Sequence, residues 1–168
     1  MKNVEIISHL TEYDNLEELN TEDKQLINEA KASMVDAYAP YSRFHVGAAV
    51  LLENGVILRG NNQENASYPI GLCAERVAIF AAGANYSGIA IKALAISASS
   101  KDFQVDKPVA PCGACRQAIA EYEHRYKKNI RIIMTGETGT IITSKNINNL
   151  LPLQFNGDDL KSKKNEGI

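Results

Sequence analysis

Ile91-Lys92-Ala93-Leu94-Ala95-Ile96-Ser97-Ala98 decides the fold. It is an apolar run of strand length, broken only by Lys92 and Ser97. Such a run predicts a strand covered on both faces. Upstream, residues 46–52 read as a strand, Glu53-Asn54-Gly55 as a hairpin turn and residues 56–60 as the return strand. Downstream, residues 130–135 and 140–143 read as two more strands, with 136–139 turning between them. Leu26, Ile27, Ala30, Met34 and Ala37 recur at helical spacing. Asn20 and Thr21 cap that helix, Glu22 and Asp23 suit its positive end, and Pro40 ends it near residue 39. A second helix starts near Cys73, carries Val77, Ala78 and Ala81 inward and closes at Gly83. A third spans 113–122, and 146–151 form a short helix. The order is helix, hairpin, helix, strand, helix, strand, strand. It predicts an α/β fold, with a mixed five-stranded sheet between helical layers in a three-layer α/β/α sandwich. Residues 1–20 read as a loosely attached lead-in, 21–160 as a single domain and 161–168 as a charged, frayed tail.

The chain has 168 residues, of which 45% are hydrophobic, enough for one domain with a sizeable core. Its formal net charge of -2 argues against a broad nucleic-acid footprint, though not against a small nucleotide ligand. No stretch reaches the roughly 18 apolar residues of a membrane span. The first fifteen residues, MKNVEIISHLTEYDN, have no apolar core followed by a cleavage site, so a cytoplasmic protein is expected.

There are only three cysteines, too few for a disulfide framework. Pro111-Cys112-Gly113-Ala114-Cys115 places two thiols three residues apart at a predicted helix start. A helix N-terminus favours thiolates there. By itself the pair fits half of a structural zinc site or a redox dithiol. Cys73 also opens a predicted helix, with Glu75 two residues on. Structural zinc sites close with four protein ligands, and His9, His45 and His124 have no spacing that supplies a fourth. Three ligands plus water is the catalytic pattern, and Glu75 is placed to act as a base on that water. On spacing alone, Cys73 as a core residue and Glu75 as a solvated helix charge remain open.

Cys73-Ala74-Glu75-Arg76 and Pro111-Cys112-Gly113-Ala114-Cys115-Arg116-Gln117 resemble the two signatures of the small cytidine deaminases. The resemblance extends, in order, to Tyr38-Ala39-Pro40-Tyr41-Ser42-Arg43-Phe44, Val46-Gly47-Ala48-Ala49, Glu64-Asn65-Ala66 and Leu150-Leu151-Pro152 with Phe155. Cysteine rather than histidine in the first ligand position is similar to the compact nucleoside deaminases. Members acting on nucleic-acid bases, deoxycytidylate or guanine usually carry His-x-Glu there.

The resemblance implies one zinc ion per subunit, held by Cys73, Cys112 and Cys115, and hydrolysis of cytidine and deoxycytidine to their uracil counterparts and ammonia. It implies that Glu75 takes the proton of water, gives it to the ring nitrogen and later protonates the leaving amine. It assigns Arg76 to the ligand sulfur, Phe44 to the base, Asn62 and Glu64 to the ribose hydroxyls, and the Ala74 N–H to the pyrimidine. Phe155 would reach a neighbouring subunit's pocket in a homotetramer. Tyr68 is assigned only to packing or the subunit contact, and His45 to a structural role. Members often carry cysteine and isoleucine or leucine where this chain has Asn61 and Gln63, which bears on the pocket wall. Deaminases of other aminopyrimidine nucleosides, including cytosine-bearing antibiotics, share these signatures. A zinc-binding module without activity would not require Glu75.

Overall fold

A computed structural model describes residues 1–160; the predicted charged tail at 161–168 lies outside the described residues. The elements are β1 (Leu10–Tyr13), α1 (Thr21–Ser33), β2 (Phe44–Leu52), β3 (Ile57–Asn61), α2 (Ala74–Asn85), β4 (Ile91–Ser100), α3 (Gly113–Tyr126), β5 (Arg131–Met134) and β6 (Ile141–Ser144). They form a mixed sheet of six strands in the order β1-β6-β5-β4-β2-β3. Only β4 and β5, joined through α3, run parallel; the other neighbours are antiparallel.

Alternation along the strands builds two apolar layers. Ala48, Val50 and Leu52 of β2, Leu94 and Ile96 of β4 and Ile132 and Met134 of β5 pack with α2 and α3. The intervening Ala49, Leu51, Ala93, Ala95 and Ile133 pack with Leu26, Ile27 and Ala30 of α1. Burial of β4 on both faces accounts for the continuous apolar run, and the three-layer sandwich holds. Small residues bring α1 close to the sheet. A Cβ on Gly47 would lie 2.0 Å from the Ala30 carbonyl oxygen.

The sheet has a sixth strand, where five are expected from sequence. It comes from the segment read as a lead-in: Leu10–Tyr13 pairs antiparallel with β6. That strand is short and largely exposed, so it lacks an apolar signature. Leu19, also in the lead-in, is buried. The first helix ends at Ser33, in a 3-10 turn at Met34–Asp36 rather than at Pro40. Its cap is as expected, with Asn20 Oδ1 accepting from the Asp23 N–H at 2.9 Å. Gly83 does not close α2; the helix continues to Asn85. Gly83 faces Tyr122, whose hydroxyl would lie 2.0 Å from an added Cβ, so the glycine serves the α2–α3 approach. The buried face of α2 is Ala74, Glu75, Ala78, Ile79 and Ala82, whereas Val77 and Ala81 are half-buried.

Helix α3 runs past Tyr122 to Tyr126, and the residue that its last turn buries is a carboxylate. Glu123 is buried, and its Oε1 accepts the Ile130 N–H at 2.7 Å and the Ile147 N–H at 3.0 Å. Burial pushes this carboxyl up, while the two amides favour its ionised form. One side chain thus ties the end of α3 to the approach to β5 and to the 3-10 turn Ile147–Asn149. Glu123→Ala leaves two buried donors unpaired, at about 1–3 kcal/mol each. A lowered melting temperature is therefore expected, by roughly 2–4 °C per kcal/mol for a chain of this size. An unchanged melting temperature would contradict the staple.

Candidate active site

Cys73 and Cys112 occupy the N-cap positions of α2 and α3. Serine, threonine, aspartate and asparagine are the usual caps because their oxygen accepts a first-turn N–H. Neither cysteine makes such a bond. Both sulfurs instead face a common point, with Cys115 arriving from the first turn of α3. The Sγ atoms of Cys73 and Cys112 are 3.8 Å apart, and those of Cys112 and Cys115 3.5 Å. All three lie within 4.8 Å of one another, and no other cluster of three potential ligands is found among the described residues. Thiolates on tetrahedral zinc with bonds of about 2.3 Å lie roughly 3.8 Å apart, so this donor set fits the ion. The spacing is far beyond the roughly 2.05 Å of a disulfide.

The three sulfurs differ electrostatically. The hydrogen bond from the Cys115 thiol, aided by the Arg76 guanidinium and opposed by burial, pulls the Cys73 thiol down to about 5. The same pairing with Cys73, together with burial and the Glu75 carboxylate, pushes Cys115 up. Without a cation, three thiolates cannot ionise side by side. Glu75, on the first turn of α2, is buried, and burial followed by the Cys73 charge pushes its carboxyl up. Arg76 Nη2 lies 3.8 Å from Cys73 Sγ and donates to the Gly71 carbonyl at 3.3 Å.

A cavity of about 770 Å³ opens onto this cluster. Cys73, Cys112, Glu75 and Arg76 line it together with Phe44, Asn62 and Glu64. Asn62 Oδ1 accepts the Val46 N–H at 2.8 Å and its Nδ2 donates to the Phe44 carbonyl at 2.9 Å. The carboxamide therefore fixes the start of β2 as well as lining the cavity. Burial acts to raise the Glu64 carboxyl, but the Ser42 hydroxyl and the Tyr41 and Ser42 amides together hold it below its usual range. Ala74 and Cys115 are buried behind the cavity wall. Ala74 stands at the first helical position, where an N–H has no acceptor within the helix.

Phe155 is not brought to this cavity. It is 58% exposed and lines a separate groove with Arg76, Phe80 and Gln117. Tyr41, Ser42, Tyr68, Val109 and Ala110 also line the cavity. In sequence Tyr41 and Ser42 appear only within a family-like segment and Tyr68 only as a packing or subunit-contact residue, while Val109 and Ala110 carry no local signal. Arg116, quoted only as part of a motif, donates to the Pro111 and Leu150 carbonyls at 2.8 and 2.7 Å. It thereby holds the loop entering α3. The Asn61 amide donates to the Ser33 carbonyl at the end of α1, at 3.1 Å, and its Oδ1 accepts from Gln63. Of the two departures from the family pattern, Asn61 braces α1, whereas Gln63 lines the cavity.

The family model for the cytidine and deoxycytidylate deaminase zinc-binding region matches residues 20–133. The chain is 41% identical over 138 residues to a cytidine deaminase of Sporosarcina psychrophila, a match covering 82% of this chain and 93% of that one. It is 41% identical over 137 residues to that of Halalkalibacterium halodurans, covering 82% and 96%. The crystal structure of the Burkholderia pseudomallei cytidine deaminase superposes with a TM-score of 0.68 at 37% identity, covering 82% of this chain and all of that one.

Zinc analysis by mass spectrometry should find one ion per chain, and serine in place of Cys73, Cys112 or Cys115 should abolish stoichiometric binding. Binding must displace the proton held by Cys115, so affinity measured against a competing chelator should rise with pH between about 6 and 8. A pH-independent affinity would contradict this charge distribution.

Proposed function

The chain belongs to the cytidine and deoxycytidylate deaminase family, and we propose that it hydrolyses cytidine and deoxycytidine to uridine and deoxyuridine, releasing ammonia, as a pyrimidine-salvage enzyme. The observation that carries this reading is a buried carboxylate, Glu75, beside a three-sulfur metal site that lines a cavity with room for a nucleoside. When bound there, zinc supplies Lewis-acid activation of water.

Glu75 performs the proton chemistry. As a carboxylate it takes a proton from water and delivers it to the ring nitrogen beside the carbon under attack. It then takes the remaining proton from the hydroxyl on the attacked carbon and gives it to the amine as the C–N bond breaks, so water and the aminopyrimidine give the keto product and ammonia. A group that both takes and gives a proton works best with its pKa near the operating pH, and burial moves Glu75 in that direction. The thiolates and Glu75 concentrate negative charge. Two helix N-termini and Arg76 against Cys73 offset it.

In this reading Phe44 packs on the base, the Ala74 N–H meets the pyrimidine, and Asn62 and Glu64 hold the sugar hydroxyls. An amide can donate and a carboxylate accept, which suits a diol. Phe155 faces outward, so its contribution would come through a neighbouring copy of a cytoplasmic homotetramer. Residues 21–160, completed by strand β1 and Leu19 from the preceding segment, serve as one catalytic domain. Among the described residues, no helix is long and apolar enough to cross a membrane.

Glu75→Ala should retain zinc and lose about 10²–10⁴-fold or more in ammonia release from cytidine. A variant that stays fully active would overturn the proton-shuttle assignment. Sedimentation should show a tetramer, and Phe155→Ala should raise KM for cytidine; a fully active monomer would refute the cross-subunit role.

A further inference from the structure

One wall of the cavity turns on one residue with unusual backbone geometry. Arg43 has φ of +56°, in the left-handed region that non-glycine residues adopt when their surroundings enforce it. Three contacts enforce it here. The Arg43 N–H donates to the Ala39 carbonyl at 3.1 Å, its carbonyl accepts the Lys101 N–H at 3.2 Å, and its Nε lies 3.0 Å from Asp102 Oδ1. Next to them, Phe103 stacks on Phe44 with ring centroids 6.3 Å apart.

The left-handed residue folds Ser42 back over the start of β2. Ser42 Oγ accepts the Phe44 N–H at 3.1 Å and donates to Glu64 Oε1 at 2.5 Å. Glu64 Oε2 accepts the Tyr41 and Ser42 N–H groups at 2.9 and 3.3 Å. A carboxylate has about four acceptor sites, and three are filled by these contacts. Its terminal torsion has no sharp preference of its own, so anchoring one oxygen would leave the other free to swivel. The Ser42 hydroxyl supplies the second anchor and ties it to the residue that carries the Phe44 ring.

We propose that Ser42 is a positioning residue: its hydroxyl fixes the orientation of the Glu64 carboxylate, leaving one acceptor site directed at a sugar hydroxyl. The proposal rests on the reading that Glu64 receives that hydroxyl. Ser42 is not a metal-ligating residue, and it meets Phe44 through the backbone N–H rather than the ring, so its main effect falls at the sugar end.

The test compares uridine and 2′,3′-dideoxyuridine as competitive inhibitors of cytidine deamination. Ser42→Ala should weaken uridine about tenfold, the scale of one hydrogen bond to a charged group. It should leave dideoxyuridine and kcat within about twofold. Ser42→Thr, which keeps the hydroxyl, should restore the wild-type ratio of the two inhibition constants. In a Glu64→Gln background, Ser42→Ala should leave that ratio unchanged, because the two residues act as one unit. Equal weakening of both inhibitors, or of neither, overturns the proposal while leaving the deaminase reading intact. A zinc-loaded wild-type protein that releases no ammonia from cytidine overturns both.

Discussion

Two helices begin at the same place with cysteine where an oxygen-bearing cap belongs, and the rest of the site depends on that convergence. Each missing cap costs about 1 kcal/mol. In return the first-turn amides of α2 and α3 stay turned toward the cluster, where they favour negative charge. The fold makes the convergence possible. Helices α2 and α3 lie on one face of the sheet, α2 against the β2–β3 hairpin and α3 as the crossover between β4 and β5. The result is incomplete without a cation: one thiol is driven to ionise and another is driven to keep its proton.

The same economy runs through the polar groups around the cavity. Asn62 and Glu64 each fix backbone before they meet any ligand, so the wall is organised in advance of binding. Preorganisation of this kind reduces the ordering that binding would otherwise require. Glu123 does the equivalent on the far side of α3, and Arg116 at its start. Buried charge is therefore concentrated where it either positions chain or moves protons.

Much of this was legible in the sequence. The buried strand β4, the β2–β3 hairpin and the helix starts follow from periodicity and punctuation, and the cysteine spacing pointed to the metal cluster. What escaped had physical reasons. Strand β1 reads Leu10-Thr11-Glu12-Tyr13 and is held by backbone pairing to β6, which leaves no apolar pattern. Gly83 resembles a helix terminator, yet it is a contact point for Tyr122. Helix α3 hides its last turn because its inward residue is glutamate. Ser42, Asp102 and Phe103 escape as well, since a left-handed turn at arginine has no signature in composition or spacing.

A metal ion at the three cysteines, with Glu75 beside it, makes this chain a cytidine deaminase. The most direct measurement is ammonia release from cytidine as metal-stripped protein is titrated with zinc, with metal content determined on the same samples. Turnover should rise in proportion to bound zinc and saturate at one ion per chain. Turnover independent of zinc content, or none at full loading, would contradict that dependence.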